Sequence, residues 1–222
     1  MNCVSTIPAS FSTSRASGVT VTTAPPPAAP FRSGSRTAPP SAASGGRLQH
    51  RGDDSEVPDL LVVSYEFDEF VLTLEHSNYP RYMRKTESTI RRNDELPYWT
   101  QNATRIELYG SERHMTVGRH GGGWQVTEAG GRVHEQMYGR FPDPEHQADF
   151  VDAVKTGRRP NADIEEGHLS TLLPQYANIS YRLGGEKLIV DPKTERFTNS
   201  EAGNALLRRE EYRKPWVISD PV

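Results

Sequence analysis

Apolar residues recur at every second position in several short stretches between residues 60 and 138, and at every third or fourth position after Asp143. This change of period constrains the fold most. A period of two places alternate side chains on opposite faces of a strand, and a period near 3.6 places them on one stripe of a helix. Residues 60–67 (LLVVSYEF) and 70–76 (FVLTLEH) flank Asp68-Glu69 and read as an antiparallel hairpin, with Phe70, Leu72 and Leu74 on one face. Residues 105–109 and 114–117 flank Gly110-Ser111, and residues 124–128 and 133–138 flank Gly130-Gly131, giving two more hairpins.

Helices follow. Asp143 reads as an N-cap with Pro144 at the first helical position; Phe150, Val151 and Val154 form an apolar stripe, and Gly157 ends the helix. A second helix is expected from about Asp163 to Leu183, with Ile164, His168, Leu172, Tyr176, Ile179 and Leu183 on one face and Gly184-Gly185 as its stop. Pro174 removes a hydrogen bond inside it. Residues 188–190 read as a short strand and residues 201–209 as a last helix. Strands followed by helices predict an α+β domain: an open, mainly antiparallel β-sheet with helices packed on one face and the other face free.

Charge divides the chain. All 29 acidic residues lie beyond position 52. Residues 1–44 are rich in Ser, Thr, Ala and Pro, and carry only Arg15, Arg32 and Arg36. They read as a disordered tail, a targeting peptide or a mis-assigned start, ahead of a folded domain over residues 45–222. Without those three arginines the formal charge of −3 becomes −6, and an acidic body without a basic stripe argues against nucleic acid as a partner. No run approaches the roughly 18 apolar residues that span a bilayer. Cys3 is alone, which excludes an internal disulfide and fits a reducing, cytoplasmic setting. The seven histidines show no i, i+4 pair, so no metal site is expected.

Five residues stand out as candidate substrate contacts. His76 ends the first hairpin; Tyr82 and Arg91 lie in the aromatic and basic stretch 78–103, where Arg offers a planar fork of donors and Tyr a stacking face for a sugar. His146 lies near the start of the first helix and His168 on the apolar stripe of the second. For each, a structural role competes: a solvated loop for the first three, a helix-end hydrogen bond for His146, a satisfied core histidine for His168.

An ordered series of motifs over residues 45–218 resembles the C-terminal domain of the Gfo/Idh/MocA oxidoreductases, of a bacterial type. It comprises GGR at 45–47, DDSEVPD at 53–59, VVSYEF at 62–67, the turn at 109–111, HQADFVDAVKTGRRP at 146–160, NADIEEGH at 161–168, ANISYRLG at 177–184, DPKTERF at 191–197 and YRKPW at 212–216. The resemblance implies a domain that carries a sugar or polyol substrate and assembles a homo-oligomer through its sheet face. It also implies a preceding Rossmann domain that binds NAD(P) through a glycine-rich turn. This chain shows neither that turn nor the family's Glu-Lys-Pro lysine; Gly121-Gly122-Gly123 sits between strands. No catalytic or cofactor-binding residue is therefore assigned. The reading is the substrate-binding and oligomerisation half of an NAD(P)-dependent oxidoreductase, inactive alone. Its alternatives are a stand-alone sugar-binding or scaffold module of the same fold and a complete enzyme using another cofactor.

Overall fold

The computed structural model describes residues 41–49, 51–52, 54, 56–68, 70–78, 104–118, 123–139, 142–209 and 211–217, and the backbone of 17–23. Among the described residues the ten strands are β1 (Ser17–Thr23), β2 (Ser41–Gly46), β3 (Leu60–Glu66), β4 (Phe70–Ser77), β5 (Thr104–Tyr109), β6 (Arg113–Gly118), β7 (Trp124–Glu128), β8 (Val133–Met137), β9 (Val190–Asp191) and β10 (Arg196–Phe197). The helices are α1 (Asp143–Thr156), α2 (Ile164–Arg182) and α3 (Glu201–Ala205). The first eight strands form one open sheet in the order β2-β3-β4-β1-β5-β6-β7-β8; β9 and β10 make a separate ribbon. Every pairing in the large sheet is antiparallel except β1 with β5. This is the α+β architecture that the change of period predicts.

Register sorts the two faces. Val63, Leu74, Ile106, Val117 and Trp124 occupy one row, with Val19 between Leu74 and Ile106. The neighbouring row on the opposite face is polar: Ser64, Thr73, Glu107, Thr116, Gln125 and Gln136, with Thr20 at the β1 position. Helix α2 lies on the apolar face over β2, β3 and β4. There Ala177 joins Ala43, Leu61, Val63 and Tyr65 in a buried cluster, flanked by Leu72, Leu74, Leu173 and Tyr181. Each large side chain so buried stabilises the fold by about 1.5–3 kcal/mol. Tyr65 satisfies its hydroxyl by donating to the Leu173 carbonyl at 2.8 Å. A second cluster, Tyr176, Ile179, Leu188, Val190 and Phe197, ties the other side of α2 to the ribbon.

Ser17–Thr23 and Ser41–Gly46 are also strands of the sheet. Four expectations about the later elements need correction. Helix α1 is capped at Pro142, whose carbonyl accepts from His146 N at 2.9 Å, so Asp143 is already helical and makes no side-chain cap. The stripe of α2 is buried only from Leu172 onward: Ile164 and His168 are exposed, because the helix's first turns extend past the sheet and core. Leu188 makes an isolated bridge to Ser41, and the strand proper is Val190–Asp191. Helix α3 stops at Ala205 rather than Arg209. Among the described residues no helix is long and apolar enough to cross a membrane.

Candidate functional site

The antiparallel register brings the end of β2, the start of β3, the end of β4 and the start of β5 to one rim of the sheet. Gly45 permits the close approach of β2 to β3, since a Cβ there would sit 2.1 Å from the Leu60 carbonyl oxygen. Asp59, just before β3, is 3% exposed. Its Oδ2 accepts from Gln49 N at 2.8 Å, its own N–H donates to the Gly46 carbonyl at 3.0 Å, and its carbonyl accepts from Asn78 N at 3.1 Å. Through its carboxylate and its main chain, buried Asp59 thereby binds the Gly46–Gln49 turn to the ends of β3 and β4.

His76 stands opposite Leu61 on one side and Ser17 on the other, and Thr104 stands opposite Ser17 in turn. Two strand spacings, roughly 10 Å, separate His76 from Thr104. His76 is half-buried, and burial lowers its pKa, favouring the neutral ring, which offers one donor and one acceptor nitrogen. Ser77 is buried, and its Oγ has no hydrogen-bond partner among the described residues. Arg105 Nε lies 3.2 Å from Glu107 Oε2 on the opposite face. His76 and Ser77 are consecutive strand residues and so face opposite sides of the sheet, and the Asp59 carboxylate is closed in against the Gly46–Gln49 turn; of the three, the half-buried His76 is the group that a ligand at this rim could reach. Among the described residues no group of three or more His, Cys, Asp or Glu side chains could hold a metal ion.

The other expected contacts fall elsewhere. Tyr82 and Arg91 lie outside the described residues; the segment that carries them leaves after Asn78 and returns at Thr104, both at this rim. His168 is exposed, and its Nε2 lies 2.9 Å from each carboxylate oxygen of Glu195. Glu195 takes a left-handed φ of 56° in the β9–β10 turn, where its N–H donates to the Asp191 carbonyl. This pair fastens α2 to the ribbon, and a shallow recess beside it is lined by Ile164, Glu165, Gly167, His168 and Thr171. His146 sits exposed on the first turn of α1. Asp59 was not legible as a rim residue, since it precedes a strand and only the fold lays the Gly46–Gln49 turn against it.

The family described as oxidoreductase family, C-terminal alpha/beta domain, of the Gfo/Idh/MocA group, matches residues 103–218, more than half of the chain. The chain belongs to this family. The matched region of this oxidoreductase-family domain runs from β5 through α3 and includes His146 and His168; the rim residues Asp59, His76 and Ser77 precede it. One solved structure, described as a "putative oxidoreductase from Klebsiella pneumoniae", is similar at 12% identity with a TM-score of 0.42, over 86% of this chain and 58% of that one. The domain thus spans less than two thirds of that protein's length. No curated protein matches it.

Proposed function

We propose that this domain is the substrate-binding and oligomerisation half of an NAD(P)-dependent sugar or polyol oxidoreductase, inactive without a nicotinamide-binding partner domain. Membership in the oxidoreductase family supplies the class. The observation that supports the binding role is half-buried His76 at the rim, beside strand ends that buried Asp59 holds together.

The described residues do not fit a dinucleotide. That cofactor needs a strand that passes through clustered glycines into a helix, so that backbone reaches the pyrophosphate. Among the described residues, strands lead to helices after β8, where Gly139 stands alone, and after β10, where the turn has no glycine. The chain's own part is to hold and orient hydroxyl groups. Oligomerisation is assigned to the sheet face that α2 leaves open, where Val62, Val71 and Tyr109 are exposed among polar neighbours.

Ligand-observed NMR with a panel of inositols and aldohexoses tests the reading. At least one of these should receive saturation from the protein, and His76→Ala should weaken its binding at least tenfold without lowering the thermal midpoint appreciably. Failure of the whole panel to bind, or binding unchanged in His76→Ala, rejects the rim as a polyol site.

A further inference from the structure

Helix α1 turns its apolar stripe to solvent. Phe150 is 60% exposed, Val151 48% and Val154 68%, while on the other side of the helix Ala153 is 6% exposed. Large side chains spaced one turn apart and this exposed mark a surface that a partner covers.

The stripe has a symmetry of its own. Gln147, Phe150, Val151 and Val154 are arranged about a midpoint between Phe150 and Val151: Phe150 and Val151 lie on either side of it, and Gln147 and Val154 lie one turn out in opposite directions. A two-fold axis through that midpoint sets Phe150 of one copy against Val151 of the other, and Gln147 against Val154. The charges obey the same axis. Asp143 occupies the first turn and Lys155 the last, and antiparallel pairing lays the acidic end of each helix beside the basic end of the other. Asp143 and Lys155 form no ion pair among the described residues. Arg158 is bound on the helix's other side, to Asp149 and Asp152, and fixes the turn after Gly157 so that it does not cover the stripe.

We infer that α1 is a self-association surface, which pairs antiparallel with α1 of a second copy about an axis between Phe150 and Val151. A 14-residue helix is about 21 Å long, so the pair covers less than the roughly 1,600 Å² of a standard interface. The association is accordingly weak and rises with protein concentration. It is independent of the rim and of the open sheet face.

Cysteine cross-linking of the full chain in a Cys3→Ser background tests the axis. Val151→Cys, beside the axis, should form a disulfide-linked dimer at least tenfold faster than Lys155→Cys, whose two copies lie roughly 13 Å apart along the helices. In sedimentation equilibrium Val154→Asp should weaken self-association at least tenfold; its side chain is exposed, so the fold is retained. Equal cross-linking at the two positions, or self-association unchanged in Val154→Asp, overturns the inference. A chain that dimerises through the sheet face alone gives that second result and leaves the sheet reading standing.

Discussion

His76 couples the stability of the rim to pH in a definite direction. Burial disfavours its protonated form, so the unfolded chain, where histidine titrates near 6.5, binds the proton more tightly. Stability from this group is therefore complete above about pH 6.5 and is lost as the pH falls through that value toward the lower folded one. The denaturation midpoint should decline from pH 7 to pH 5, and His76→Gln should flatten the decline; an equally steep decline in the variant would assign it to other groups. Asp149 and Asp191 act in a separate window. Hydrogen bonds from Asn161 N and Arg158 hold Asp149, and bonds from Lys193 N and Thr194 hold Asp191, below the usual carboxylate range. Their contribution is present above about pH 4 and lost below it. In the core, Tyr65→Phe removes the hydroxyl that donates to Leu173 and should cost about 1 kcal/mol, measured as a shift in urea midpoint with unchanged slope. At this scale the sequence was partly legible. His76 stood out by its type and place, whereas Asp59 acquires meaning only when the register folds the Gly46–Gln49 turn against it.

Among the elements, the covered edge of the sheet has the most specific chemistry. Among the described residues β2 has no neighbouring strand beyond it, but Ser41 exchanges two backbone hydrogen bonds of 2.9 Å with Leu188, and Ala43 N donates to Ser180 Oγ at 3.0 Å. Ser180 in turn donates to the Glu186 carbonyl at 2.7 Å. This blunts an edge that would otherwise present unpaired backbone groups. Ser180→Ala leaves the Ala43 N–H buried and unpaired and should cost about 1–3 kcal/mol in chemical denaturation, whereas Ser180→Thr, which keeps the hydroxyl, should recover part of it. Gly185 closes the same contact: it has a φ of 89°, and a Cβ would sit 2.8 Å from the Ala43 carbonyl oxygen. The three hairpins were legible because alternation and turn residues agree over residues 60–138. The edge was not. Ser41–Gly46 (SAASGG) has no apolar alternation to read, and its place comes from main-chain bonds and from Ser180, 137 residues away from Ala43.

The whole molecule depends on a strand from the stretch whose composition reads least like a fold. Ser17–Thr23 pairs antiparallel with Phe70–His76 and parallel with residues 104–109, and so joins the β2–β3–β4 part of the sheet to β5–β8. Its alternation, Val19 and Val21 among Ser and Thr, is diluted by the Pro- and Ser-rich residues around it. Its pairing with β4 and β5 is non-local, which no period reveals. Removing it should divide the sheet into a three-stranded part carrying α2 and a four-stranded part, each with a new unpaired edge. Three chains separate this from a role as a mere tail. A chain lacking residues 1–16 keeps the strand and should unfold in the same cooperative transition as the full chain. A chain lacking residues 1–23 should lose that cooperativity and the hydrogen-exchange protection of the β4 and β5 amides that face β1. Thr20→Pro, which removes one donor from a strand paired on both sides and clashes within it, should destabilise by about 3 kcal/mol or more without shortening the chain. If the chain lacking residues 1–23 and the Thr20→Pro variant both unfold like the full chain, with β4 and β5 protection intact, the two parts hold together without β1 and its central position in the sheet is refuted.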